Sequence, residues 1–245
     1  MNPLEIEIKD HFLKTREQIK RTAEKCGRNP DDIKLVVVTK KQPVEKVKMV
    51  IEAGAQIIGE NYPEEGEEKI KALQQYKHIQ WHMIGHLQSR KIPILINNFS
   101  MLESLDSISL AEKINHKFSQ NNKKMPALVE INISGEESKN GIEGWNETEW
   151  DKLATTIKLL AENPGLQIEG LMTMPPYYDE MEKARPYFKK MSRLKKYLTE
   201  KKEMTTFIKD LSMGTSGDYQ VAIEEGATYI RIGTAIMGRR NYQSI

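Results

Sequence analysis

A lysine closes an apolar run in this chain, where Leu35, Val36, Val37 and Val38 lead through Thr39 to Lys40. An amine at the end of a buried strand is a nucleophile for carbonyl carbon, so Schiff-base chemistry is one reading. The ordinary reading is a lysine whose stem lies on apolar surface while its ammonium reaches water. An unperturbed lysine titrates near ~10.4. The chemistry therefore asks for burial or nearby cations to populate the neutral amine.

Two stretches near the C-terminus bear on the choice. Ser212, Gly214, Thr215, Ser216, Gly217 and Asp218 belong to one, and Gly233 and Thr234 to the other. Glycine lets the backbone come close to a phosphate, while hydroxyls and unpaired amides donate to its oxygens. Each stretch alone also reads as a tight turn. Together they favour phosphate, with Ser212, Gly214, Thr215, Ser216, Gly233 and Thr234 as contacts and Asp218 as the cap of the next helix.

Arg231 shares a strand face with Tyr229, leaving Ile230 and Ile232 on the other. It reads as an ion-pair partner, a phosphate contact, or a donor to a ring nitrogen. In the last role a group that keeps its proton would leave that nitrogen unprotonated and weaken the ring as an electron sink. A lysine facing a phosphate cradle suits a ligand with an aldehyde at one end and a phosphate at the other. Pyridoxal 5'-phosphate has that form.

These residues need a frame that brings them together. Strand-like runs fall at 35–39, 56–59, 79–84, 100–103, 127–133, 167–172, 207–212 and 228–232, separated by patterns with one apolar helical face. Short, Val- and Ile-rich strands fit a parallel sheet covered by helices. Eight alternations in 245 residues favour a single-domain α/β fold, a (β/α)8 TIM barrel spanning 1–245. Such a barrel gathers the ends of its strands at one rim, with phosphate typically held after the seventh and eighth. Leu4, Ile8, Phe12, Ile19 and Ala23 mark an extra amphipathic helix within 1–30 that packs on the barrel. Pro93 interrupts the pattern before the fourth strand, so that helix begins late or kinks. The polar segment 134–146 reads as a loop over the strand ends or a solvated connection.

Composition narrows the class further. Thirty-seven basic and thirty-five acidic residues, interspersed, give a net charge of +2, which suggests neither a nucleic-acid nor a membrane partner. Cys26 is the only cysteine, which excludes an internal disulfide and a cysteine-built metal site and suits a reducing cytoplasm. No signal-peptide pattern or bilayer-length apolar run is expected.

Several motifs carry a resemblance: 35–40 with Pro43, Val44 and Glu45; Gly59, Glu60, Asn61 and Tyr62; Trp81 through Ser89; Gly170, Leu171 and Met172; 211–218; and 231–238. In this order, from the first strand to Arg239, the chain resembles the pyridoxal phosphate homeostasis proteins, which are similar to the N-terminal domain of alanine racemase. The resemblance implies a fold-type III barrel with the cofactor as an aldimine on Lys40. It further implies phosphate contacts from the 212–216 and 231–234 regions, Arg231 at the pyridine nitrogen, and Asn61 and Met172 lining the pocket. Their bland readings are a turn residue and a core methionine. Pro63, Glu64, Arg90, Thr215 and Met237 depart from the family's usual residues, which bears on Thr215 as a phosphate contact. His82 and His86 read as structural histidines before acid–base groups.

The same resemblance raises an amino-acid racemase as the alternative, but fold-type III racemases take a second acid–base tyrosine from an additional β-domain, and here the barrel uses up the chain. Tyr62, Tyr177, Tyr178 and Tyr219 have ordinary turn or rim explanations. The expectation is therefore a non-catalytic protein that holds and delivers pyridoxal phosphate, with cofactor-dependent apoenzymes as partners and a monomer before a dimer. A Schiff-base aldolase is the second alternative.

Overall fold

The computed structural model describes residues 2–118 and 124–238; Arg239, at the end of the resemblance, lies outside them. Among the described residues nine strands form in chain order: β1 (Lys34–Val38), β2 (Ile57–Glu60), β3 (Gln80–Met83), β4 (Met101–Leu105), β5 (Met125–Asn132), β6 (Ile142–Glu143), β7 (Leu166–Met172), β8 (Asp210–Ser212) and β9 (Tyr229–Ile232). All pair in parallel, and two pairings, β1 with β9 and β4 with β5, close eight of them into a barrel. The two-residue β6 only extends from the end of β5, through Ile131 and Asn132. It lies within segment 134–146, where a strand this short leaves no periodicity to read.

Helices alternate with the strands: α1 (Pro3–Lys25), α2 (Val44–Glu52), α3 (Pro63–Ala72), α4 (Ile92–Asn98), α5 (Ile108–Phe118), α6 (Trp150–Ala161), α7 (Arg185–Lys196), α8 (Tyr219–Glu224) and α9 (Thr234–Met237). α1 starts at a capping box in which Asn2 accepts from the Glu5 amide (2.9 Å) and Glu5 reaches back to the Asn2 amide (3.3 Å). It buries Ile8, Phe12, Ile19 and Ala23, leaves Leu4 exposed, and packs against α2, α8 and α9. Each large apolar side chain so buried stabilises the docking by roughly 1.5–3 kcal/mol. Pro93 stands in the first turn of α4, so that helix begins late rather than kinking. Two boundaries differ from the sequence pattern. Phe207 and Ile208 lie in a turn before β8, and Pro186 starts α7 after Met181, which stays exposed.

The main core lies between the barrel and its helices. A second, smaller cluster fills the barrel with Val36, Ile57, Met101, Leu128, Met172 and Tyr229. The register between β5 and β7 skips Glu169, passing from Ala127 opposite Ile168 to Leu128 opposite Gly170, a β-bulge in β7. A Cβ on Gly170 would stand 2.1 Å from the Asp210 carbonyl oxygen. Gly170→Ala should accordingly lower stability by roughly 3 kcal/mol. Urea unfolding checks this, and an unshifted midpoint would contradict the close approach of the two strands.

Candidate functional site

A cavity of about 410 Å³ opens at the C-terminal mouth of the barrel. Lys40 and Asn61 reach it from the ends of β1 and β2, His86 from beyond β3, and Glu130 from β5. Met174 and Tyr177 come from beyond β7, Thr215 and Ser216 from beyond β8, and Arg231, Gly233 and Thr234 from β9 and its continuation. Segment 134–146 contributes Ser138, Lys139 and Asn140, so it does reach over the strand ends. Asn132 organises its start, accepting from Ser134 Oγ (3.1 Å) and the Gly135 amide (3.0 Å) and donating to the Glu136 carbonyl (2.9 Å).

Lys40 sits in a four-residue turn closed by the Gln42 amide on the Thr39 carbonyl (3.0 Å). Lys41, next in the turn, has φ +58°, a left-handed conformation that costs a residue with a side chain roughly 1–3 kcal/mol. Asn61 Oδ1 is buried and has no hydrogen-bond partner among the described residues. It is an acceptor at the cavity wall that a ligand donor would satisfy.

Beside Lys40, on the neighbouring strands β9 and β8, the two glycine-containing loops are tied together. Ser216 Oγ accepts from the amides of Gly233 (3.2 Å) and Ala235 (3.4 Å), which leaves its own O–H to donate to an anion. Gly233 packs closely on β1, since a Cβ there would lie 3.3 Å from Val38 Cβ. Thr215 lines the cavity, but its amide (2.6 Å) and hydroxyl (3.1 Å) both donate to Asp218 Oδ1. Asp218 holds the N-cap position of α8 without capping it through its side chain, because it is spent on Thr215. That corrects the expected cap, and it places the Thr215 hydroxyl at the cavity wall already bonded to Asp218.

Three further expected residues lie beside the cavity and not on its wall. Gly214, at φ +93°, packs against α8, where a Cβ would stand 2.5 Å from Ala222 Cβ. Met172 belongs to the barrel's inner cluster, its bland reading. Ser212 is fully buried and faces charges, donating to Glu103 Oε2 (2.6 Å) and accepting from Arg231 Nη1. None of the three lines the cavity.

Arg231 is buried with Tyr229 toward the barrel interior, and its Nη2 donates to the Thr173 carbonyl (2.9 Å). Its counter-charge is Glu103, 4.0 Å away, which also bonds His82 Nδ1 at 2.7 Å. Burial opposes ionisation of Glu103, yet His82, Arg231 and Ser212 together hold it below the usual carboxylate range. Burial likewise lowers Arg231, with Glu103, Glu130 and Asp218 pulling the other way. His82 is thus a structural histidine, buried beside the Tyr229 ring at 5.8 Å. His86 lies at the rim, paired with Asp106 Oδ2 at 2.6 Å. Glu103, Glu130 and Lys139 went unnoticed in the sequence; carboxylates inside apolar strand runs were the available signal.

The fold and site define a parallel (β/α)8 barrel with a lysine and a glycine-and-hydroxyl cradle at one mouth. A family model for the alanine racemase N-terminal domain matches residues 14–241. A pyridoxal phosphate homeostasis protein of Aquifex aeolicus is 37% identical over 233 residues, 95% of this chain and 98% of the relative. The chain belongs to the pyridoxal phosphate homeostasis proteins, within the alanine racemase N-terminal domain family. PipY of Synechococcus elongatus, solved with PLP bound, superposes with a TM-score of 0.76 at 25% identity, over 90% of this chain and 100% of that one. An alanine racemase of Clostridium difficile shares the fold (TM-score 0.67, 21% identity), matching 96% of this chain but 58% of its own. Among the described residues no three His, Cys, Asp or Glu gather as a metal would need, and no helix is long and apolar enough to cross a membrane.

Glu130 carries the clearest pH dependence. Burial, then the charge of Asp106, raise its pKa to about 7 against the pull of Arg231, His86 and Lys139. A carboxyl raised on folding from 4.5 to about 7 favours the protonated folded state, so stability falls as pH rises through that window. Glu130→Gln should flatten this slope and raise stability at pH 8 by about 3 kcal/mol. Denaturant midpoints at pH 5 and pH 8 measure it; equal slopes in both proteins would reject the assignment.

Proposed function

We propose that the protein binds pyridoxal 5'-phosphate at this mouth, with Lys40 as the covalent anchor, and serves to hold and release it. The observation that carries this reading is the meeting of Lys40, Asn61, Arg231 and the Ser216–Gly233 pairing around one cavity of about 410 Å³, a size within the range of small-cofactor sites. When bound, pyridoxal phosphate supplies an aldehyde that condenses with an amine, one C=N bond forming as one water leaves. Ser216, Gly233 and Thr234 would hold the phosphate, with Thr215 contributing through its placement of the loop. Arg231, unable to accept a proton, would face the ring nitrogen and keep it neutral. The unpaired Asn61 oxygen and the fit of the cradle both support the group's presence.

A carrier is favoured over a racemase. The supporting observation is that a relative matching 95% of this chain at 37% identity is named a pyridoxal phosphate homeostasis protein, and an arginine at the ring nitrogen would weaken the ring as an electron sink. Within this reading, residues 1–245 act as one domain, in the cytoplasm and as a monomer, delivering the cofactor to apoenzymes that depend on it. Met172, Ser212 and Gly214 contribute by shaping the floor and loop beneath the ligand. Tyr177, 82% exposed yet lining the cavity, keeps the racemase as the second reading, since it is a second proton-transfer group at the mouth.

Purified protein incubated with pyridoxal phosphate should develop an absorbance band near the visible edge that disappears on borohydride reduction and never forms in Lys40→Ala. Colourless protein would reject the cofactor. Unaltered binding by Lys40→Ala would reject the anchor. With L- and D-amino acids the loaded protein should exchange its bound aldehyde stoichiometrically; interconversion of enantiomers at enzymatic rates, lost in Tyr177→Phe, would establish the racemase.

A further inference from the structure

We infer that Lys69 and Glu65 are a positioning pair for Lys40, clamping the two peptide groups that flank it so that its amine is presented in one place. The inference rests on the reading of Lys40 as the anchor.

Lys69 lies on the inward side of α3 with its ammonium almost fully buried, at 4% exposure. Its three acceptors match the three protons an ammonium offers: the Thr39 carbonyl (2.6 Å), Glu60 Oε1 (2.7 Å) and Glu65 Oε1 (2.7 Å). The same Glu65 oxygen accepts from the Lys41 amide (2.5 Å). A continuous hydrogen-bonded path therefore runs from the carbonyl before Lys40, through Lys69 and Glu65, to the amide after it. Thr39 Oγ1 donates to Glu60 Oε1 and adds a second tie from the same turn.

Three observations separate this arrangement from a generic structural ion pair. First, the residue it holds, Lys41, is in the left-handed conformation, so the turn is kept in a shape it would not adopt by itself. Second, replacing a buried ionic cluster by apolar residues of equal volume is often neutral for stability, and this cluster is directed at the backbone on both sides of Lys40. Third, none of Glu60, Glu65 and Lys69 lines the cavity. The pair touches the backbone around Lys40 and not the ligand space, so it acts through Lys40. Restricting an attacking amine to a productive position raises its effective concentration against a bound aldehyde.

Glu65 is the residue to alter, because it is 24% exposed and its loss leaves the Lys69–Glu60 pair intact. The full chain and its Glu65→Ala and Glu65→Gln variants are mixed with pyridoxal phosphate, and the rate of the borohydride-trappable adduct on Lys40 is followed by stopped-flow absorbance. Affinity for pyridoxine phosphate, which lacks the aldehyde, is measured in parallel. Amide hydrogen exchange of 40–42 is recorded without ligand.

Glu65→Ala should slow adduct formation at least about tenfold, leave pyridoxine phosphate affinity within twofold, and speed exchange at the Lys41 amide while strand amides stay protected. Glu65→Gln, which keeps an acceptor, should recover part of the rate. Equal adduct rates in all three proteins would overturn the clamp, as would parallel losses of rate and pyridoxine phosphate affinity. Absence of any Lys40 adduct in the unaltered protein would refute the anchor instead. The exchange measurement then still decides whether Glu65 holds the turn, and unchanged Lys41 exchange would overturn that too.

Discussion

Closure of the parallel ladder is the constraint from which the site follows. An open sheet of these strands would leave β4 and β5 as edges with unpaired amides and carbonyls, whereas their pairing removes both. The same ladder makes β9 the neighbour of β1, with Arg231 opposite Val36 and Ile232 opposite Val37. The first and last strands thereby deliver Lys40 and the Gly233–Thr234 turn to the same part of the rim, almost two hundred residues apart in sequence. Gly233, which has no side chain to separate its turn from Val38, completes that contact.

Two buried polar clusters stand on either side of the barrel wall. Inside, Arg231 cannot shed its charge, so Glu103 must be present and ionised, and His82, Ser212 and the Thr173 carbonyl satisfy what remains of the pair. Outside, Lys69, Glu60, Glu65 and Thr39 fill the space between β1, β2 and α3. The inner cluster fixes the cavity floor; the outer one fixes the turn that carries Lys40. Glu60 shows the cost of such burial, since desolvation raises its pKa despite the neighbouring ammonium.

Much of the site was legible because each signal was local. Lys40 after four apolar residues and the small, hydroxyl-bearing loops after the last two strands were visible without any contact information, and Lys40, Asn61, Ser216, Arg231, Gly233 and Thr234 do line one cavity. What the Ser212 hydroxyl bonds to was not legible, because β8 ends at Ser212 with that hydroxyl turned inward to Glu103, a residue 109 positions away. Asp218 misled for a related reason: it has the right chemistry for a cap, but its carboxylate is taken by Thr215. Lys69 gave little warning, because one lysine among the many charges of α3 does not announce that it faces inward.

By itself, then, the sequence determined the eight strand-forming runs, the chemistry available at their ends and the family to which the chain belongs. Those depend on periodicity, residue type and motif order, which are properties of short segments. Tertiary structure decided which polar groups face the cavity and which face one another. Hydrogen bonds such as Lys69 to Thr39 and Ser212 to Glu103 join residues 30 and 109 positions apart. Only the packed barrel, in which a buried donor must find an acceptor, selects those partners.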